Sequence, residues 1–342
     1  MKRHVQEVLT RAVVVAPPRP SVIPAAKSAI ALGVPLVLVA VGGHLDWAMY
    51  AAFGAFGAVF GRYSAYAPRF WQQLSVGLVQ VASMLLGTYF SMIHAPFIIC
   101  ALVLGAIGFG ANYVSQAAGW MPPGPTFAVF AGGACITIPA TSSSFLGVLL
   151  VGGGTMLFSL VFMLGLSLRR ANLGHTLRAG FTWAPGPRAV SASVHMAVGV
   201  LLAGMAAALL GDGHWYWASL GAIAAVTGVD AYARVARGLQ RSVGTCVGVL
   251  LAASVLVFDP PIWVILVAAI ACQVCIELVI LRNYALGMVF VTVTALSMVH
   301  LVSPEPVASL LVDRVAMTAL GAGVGAVQSI LIGALASRRC ER

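Results

Sequence analysis

The stretch Ile262-Trp-Val-Ile-Leu-Val-Ala-Ala-Ile-Ala-Cys-Gln-Val-Cys-Ile-Glu-Leu-Val-Ile280 contains a single charged side chain, that of Glu277. A helix needs about 20 mainly apolar residues to cross the roughly 30 Å hydrocarbon core of a bilayer. A run of this length and composition therefore predicts a membrane-spanning helix. Similar runs occur along the whole chain, and they predict an all-α integral membrane protein.

The overall composition supports this class. Of the 342 residues, 61% are hydrophobic and 8% are charged, and the mean hydropathy is +0.99. Soluble domains carry about 25% charged residues, because water must wet their surface. The net charge is +10, but the Lys and Arg residues lie in short gaps between apolar runs. Nucleic-acid binders instead concentrate such residues on a soluble face, so we expect no nucleic-acid partner.

Twelve apolar runs predict about twelve transmembrane helices, six in each half of the chain. The predicted spans are 23–41, 47–62, 73–93, 96–113, 124–139, 145–168, 190–210, 214–229, 242–258, 261–281, 284–301 and 312–335. The run at 124–139 is the weakest, and a re-entrant or broken helix is the alternative there. The resulting parts are an N-terminal arm (1–22), a first membrane repeat (23–168), a linker (169–189), a second membrane repeat (190–336) and a tail (337–342).

The basic residues predict the orientation of the chain in the membrane. Cytoplasmic loops of membrane proteins carry an excess of Lys and Arg. With the N-terminus in the cytoplasm, every Lys and Arg except Arg314 falls on the cytoplasmic side. The opposite side then holds Asp46, Asp212, Asp259, Glu305 and Asp313. We therefore predict that both termini, the arm, the linker and the tail are cytoplasmic.

A short sequence match predicts that the two halves are related. Gln73-Leu-Ser-Val-Gly77 recurs as Gln240-Arg-Ser-Val-Gly244. Because six spans is an even number, both halves enter the membrane in the same sense, which predicts a parallel repeat. No Asp or Glu occurs between Asp46 and Asp212. The first half is accordingly interpreted as scaffold, and the second as the half that holds the polar groups.

Three arginines precede one span of the second half. Arg234, Arg237 and Arg241 have the spacing i, i+3, i+7, which places them on one face of a helix. One interpretation is an anion-collecting face, since Arg binds carboxylates through paired donors. The alternative is a membrane anchor whose guanidinium groups reach the interface. For Arg234 we expect the anchor, with Asp230 as its ion-pair partner.

The second half also resembles a known family. The residues that carry the resemblance are Arg237-x-x-Gln240-Arg241-x-x-Gly244-Thr245-x-x-Gly248, Arg282-Asn283-Tyr284-Ala285 and Asp313-Arg314-x-x-x-Thr318-x-x-Gly321. These motifs resemble the fusaric acid resistance family of aromatic acid exporters, over residues 190–335. The resemblance implies efflux of aromatic carboxylic acids across the bacterial inner membrane. It implies as substrate-binding residues Arg237, Arg241, Thr245 and Arg282.

Glu277 is the one carboxylate inside a predicted span. An ionisable group there costs at least about 2.5–3.5 kcal/mol on insertion scales, so it is expected to face protein or water. We predict a proton-coupling role for Glu277. The alternative is a structural carboxylate neutralised by an Arg from a neighbouring span.

Together these features predict a membrane transporter that exports small organic anions, with possible proton coupling. An organic-anion channel or a uniporter driven by the membrane potential is the alternative. The spacing of His, Cys and carboxylates indicates no metal site, and no cofactor or enzymatic reaction is predicted. An oligomer is compatible with this prediction and is not required by it.

Overall fold

The structure, a computed structural model, describes residues 2–17, 22–165, 180–211, 213–228, 230–302 and 305–340. Within these ranges the chain is all-helical and contains no strand, as predicted. Most of the linker predicted at 169–189 lies outside the described residues, as do Arg169, Arg170, Arg178 and Asp212.

The described part of the first half contains eight α-helices. Helix α1 (Lys2–Val13) precedes the first predicted span. The others are α2 (Val22–Val41), α3 (Ala48–Ala55), α4 (Tyr66–Met92), α5 (Phe97–Ala117), α6 (Thr126–Thr137), α7 (Ser142–Gly147) and α8 (Gly153–Gly165). Short 3-10 turns flank α3 at Leu45–Trp47 and Phe56–Val59, and one π-helical segment, Val148–Gly152, joins α7 to α8.

The second half contributes six helices to the described part of the chain. They are α9 (Ala189–Ala208), α10 (Tyr216–Val226), α11 (Ala231–Leu256), α12 (Ile262–Val279), α13 (Tyr284–Val302) and α14 (Val307–Cys340). Each of the twelve predicted spans overlaps an apolar helical segment.

Three of these twelve segments are shorter than a bilayer requires. In the described residues, nine helices are long and apolar enough to cross a membrane, whereas Leu45–Val59, Thr126–Thr137 and Tyr216–Val226 are shorter. All eight residues of α3 are buried, and so is every residue of α10 except Val226. A helix that is apolar on all sides is typical of the interior of a large protein or of a membrane span. The chain is therefore a multi-pass membrane protein, while twelve crossings stays a prediction.

The helices pack in corresponding pairs in the two halves. In the first half α4 packs against α6, and in the second α11 packs against α13. The halves meet through α5 against α9 and through α2 against α12. A parallel repeat requires such a correspondence. The repeat, like the cytoplasmic location of both termini, stays a prediction.

Close approach between α11 and α13 depends on glycine. A Cβ at Gly244 would collide with the carbonyl oxygen of Ala285, and one at Gly248 would collide with that of Val289. Small residues at four-residue spacing let helix backbones approach in this way. The close packing fixes how α11 presents its polar face to the interior.

Candidate functional site

A cavity of about 380 Å3 lies between the two halves. Its wall includes the guanidinium groups of Arg62, Arg237, Arg241, Arg282 and Arg314. Among the described residues that line it there is no Asp or Glu. The charged residues of the lining are thus all basic.

One wall of the cavity is aromatic and comes from the first half. This aromatic wall consists of Phe53, Phe56, Phe60, Phe127 and Phe130. The Phe53 and Phe130 rings meet edge to face with centroids 5.0 Å apart, and those of Phe60 and Phe127 do so at 5.6 Å. The first half is therefore not scaffold alone. The distribution of charged residues could not predict this role, because aromatic side chains are uncharged.

Arg314 lines the cavity from α14. It lies in the second turn of α14, and its side chain is 0% exposed. The guanidinium carbon lies 4.9 Å from the centroid of the Trp217 ring and 6.0 Å from that of Phe130. None of its three nitrogen atoms has a hydrogen-bond partner among the described residues.

The buried position of Arg314 was not predicted from the sequence. The charge pattern had indicated only a basic residue on the non-cytoplasmic side. Its isolation there was the signal that could have revealed it. An arginine that alone departs from the charge asymmetry is not explained as a topology signal.

Arg241 and Arg237 meet at Tyr284, the first residue of α13. Arg241 is 3% exposed, and its Nη1 donates a hydrogen bond of 3.0 Å to the Tyr284 hydroxyl. The Arg237 guanidinium lies 4.3 Å from the centroid of the Tyr284 ring. Both arginines line the cavity, so the structure brings them together at a single aromatic residue.

Arg234 does not line the cavity, and its expected pairing with Asp230 is wrong. The Arg234 Nε donates to the carbonyl oxygen of Gly228 at 3.1 Å. Asp230 instead accepts from Arg11 of α1 at 2.8 Å and from the backbone N–H of Ala233 at 2.8 Å. These contacts, the Arg11 hydrogen bond first, hold the pKa of Asp230 below its ordinary value of 3.8.

Thr245 and Glu277 also lie outside the cavity lining. Thr245 is fully buried, and its hydroxyl oxygen has no hydrogen-bond partner in the described part of the chain. Glu277 is 1% exposed and forms an ion pair with Arg62 at 2.7 Å, and it accepts a hydrogen bond from Ser28 at 3.1 Å. Arg62, which lines the cavity, is an arginine of a neighbouring predicted span, as the alternative interpretation of Glu277 required.

Arg282 lies at the end of the cavity that residues 12–16 cover. Its Nε lies 3.4 Å from the carbonyl oxygen of Ala16, and its own carbonyl accepts from the Ala16 N–H at 2.8 Å. Val14 lines the cavity from the same segment. We call this end the mouth.

Comparison with known proteins identifies a family that the second half resembles. Residues 201–328 match the profile of a family described as fusaric acid resistance protein-like. This segment is similar to that family. The match confirms the resemblance found in the motifs.

The chain is also similar to a named protein. The uncharacterized membrane protein YvaC of Bacillus subtilis (strain 168) is 32% identical over 159 residues, which are 46% of this chain and 25% of that protein. The chain thus spans a quarter of the length of this relative. No solved structure matches.

The five arginines that line the cavity form what we call the cationic wall, and the fusaric acid resistance-like segment supplies most of them. Arg237, Arg241, Arg282 and Arg314 fall within it, as does Trp217. Arg62 and the aromatic wall come from outside it. The cavity therefore combines the family segment with the preceding half of the chain.

Proposed function

We propose that the protein exports organic anions, and aromatic carboxylates in particular, from the cytoplasm across the bacterial inner membrane. The observation that carries the proposal is the guanidinium group of Arg314, which belongs to the cavity lining and has no hydrogen-bond partner among the described residues. A buried charge without a partner is costly, and breaking a buried pair leaves such a charge at a cost of about 3–5 kcal/mol. An anion that enters the cavity supplies the missing charge.

The aromatic wall supports an aromatic substrate. Aromatic rings prefer edge-to-face or offset contacts, which contribute about 0.5–1.5 kcal/mol beyond the buried area. A volume of about 380 Å3 lies within the range of small-molecule sites. When the carboxylate group of an aromatic substrate contacts Arg314, the ring of the substrate lies among Phe53, Phe127 and Phe130. We infer binding and release without a chemical reaction.

The membrane potential favours the outward direction. With the interior negative, the exit of one negative charge gains about 2.3 kcal/mol per 100 mV. A uniporter or channel driven by the potential is the second candidate. The position of Glu277 favours this second candidate, because Glu277 is paired with Arg62 and does not line the cavity. Proton coupling through Glu277 is the competing proposal.

The test is efflux of benzoate from proteoliposomes under an imposed potential. Arg314→Gln should reduce the rate at least about tenfold, because hydrogen bonds to charged groups contribute about 1.5–3 kcal/mol. The same variant should keep or raise thermal stability in detergent, since it removes a buried charge that has no hydrogen-bond partner.

Arg234→Gln is the matched control. It removes the same charge from a residue outside the cavity lining and should transport benzoate at close to the wild-type rate. Normal efflux by Arg314→Gln, or equal losses in both variants, would rule out the Arg314 site.

A further inference from the structure

Backbone carbonyl groups of the N-terminal segment occupy a set of side-chain donors at the mouth. The carbonyl oxygen of Ala12 accepts from Gln240 at 2.9 Å and from Asn283 at 3.2 Å. That of Val14 accepts from Asn283 at 3.1 Å. The Arg282–Ala16 contact adds a third carbonyl group. Three side chains, one from α11 and two from the turn between α12 and α13, thus contact three carbonyl groups of residues 12–16.

The same donors are suited to a carboxylate. Amide N–H2 and guanidinium groups donate to any oxygen acceptor, and hydrogen bonds to an ionised acceptor are roughly twice as strong as neutral ones. The carbonyl oxygens of residues 12–16 therefore stand in for carboxylate oxygens. Arg237, stacked on Tyr284, adds positive charge to the same cavity lining.

We propose that Gln240, Arg282 and Asn283 form a carboxylate-binding site at the mouth, which the N-terminal segment occupies in this state. We call it the mouth site. A substrate anion takes the place of the carbonyl groups when the segment leaves, and passes from there to Arg241 and Arg314. The proposal rests on the proposed function for its substrate, but the site itself is defined by these contacts.

The segment is held by contacts that allow it to leave. Helix α1 packs against α11, and the Arg11–Asp230 ion pair fixes it there at 2.8 Å. Both side chains are substantially exposed, and exposed ion pairs contribute little to stability. Because the pKa of Asp230 lies below 3.8, this pair persists above that pH and is lost only in stronger acid.

The first experiment measures whether the segment covers the mouth. Thr227, which lines the cavity, is replaced by Cys, and maleimide labelling is followed in detergent. Arg11→Glu should speed labelling at least about threefold by shifting the segment toward the open state. Asp230→Lys combined with Arg11→Glu should restore the slow rate. Thr10→Ala, whose hydroxyl bonds only within α1, is the control and should change nothing.

Labelling of the native cysteines is subtracted using the same variants without the Thr227→Cys change. Equal labelling with and without Arg11→Glu would overturn the proposal, because the mouth would then be open regardless of the segment.

The second experiment measures whether the uncovered donors bind a carboxylate. In the Arg11→Glu background, saturating benzoate should protect the cysteine at 227 from labelling. Gln240→Met removes one donor and should weaken protection about fivefold. Asn283→Ser should weaken protection similarly. Serine is chosen because its hydroxyl can still accept from the Ala285 N–H, which now donates to Asn283 at 2.8 Å.

The two proposals fail separately. Benzoate efflux without protection, or protection that Gln240→Met leaves unchanged, would overturn the mouth site and spare the proposed function. Protection that is sensitive to Gln240→Met in a protein that moves no benzoate would support the mouth site and contradict the proposed function.

Discussion

At the scale of single residues, the ion pair between Arg62 and Glu277 links a buried carboxylate to the cavity. Arg62 lines the cavity, while Glu277 lies behind it. Removing one partner of a buried pair leaves an uncompensated charge. A proton on Glu277 therefore changes the charge that Arg62 presents to a substrate, even though Glu277 has no place in the cavity lining.

This arrangement makes Glu277→Gln a test of proton coupling. If Glu277 exchanges protons during transport, the variant should lose efflux driven by a pH gradient at zero potential and keep efflux driven by potential alone. The measurement uses proteoliposomes with each driving force imposed separately. Ser28→Ala, which removes only the hydrogen bond to the carboxylate, serves as the control and should retain both activities. Gradient-driven efflux at the wild-type rate in Glu277→Gln would exclude Glu277 as the proton-coupling residue.

At the scale of helices, the contact between α11 and α13 positions Arg241 against Tyr284. Gly244 lies one turn beyond Arg241 and has no room for a methyl group, since the Ala285 carbonyl occupies that space. Overpacking a tight contact typically costs about 1–3 kcal/mol. The position of the cationic wall thus depends on a residue that does not line the cavity.

Gly244→Ala should lower the thermal midpoint in detergent and also reduce benzoate transport, because the α11–α13 contact must widen. Gly323→Ala in α14 is the matched control, since a Cβ there meets nothing within 4 Å. It should keep or raise the midpoint, as alanine is the better helix former by about 1 kcal/mol. Equal midpoints for the two variants would show that the close approach is not required.

At the scale of the whole molecule, the orientation decides which side the mouth faces. The predicted orientation makes the mouth cytoplasmic, where an exporter must collect its substrate. Reporter fusions after Arg178 and after Arg342 should both read cytoplasmic, and a fusion after His214 should read exterior. A cytoplasmic signal at His214 would contradict both the orientation and the parallel repeat, and with them the outward direction of transport.

The sequence alone was sufficient for the membrane class, the positions of the helical segments and the family that the second half resembles. These features depend on composition, on apolar runs and on local motifs, all of which are readable along the chain. Of the three arginines predicted to share one helix face, Arg237 and Arg241 line the cavity and Arg234 does not; their spacing was readable because helical periodicity is local.

Only the tertiary structure decided which charges are paired and which are free. Arg62 pairs with Glu277, 215 residues away, and Arg11 pairs with Asp230, 219 residues away. Proximity in sequence had suggested Asp230 for Arg234 instead. The contact between Arg314 of the second half and Phe130 of the first depends on how the two halves meet. No local pattern encodes such contacts, because they arise only when distant helices exclude lipid and water from the space between them.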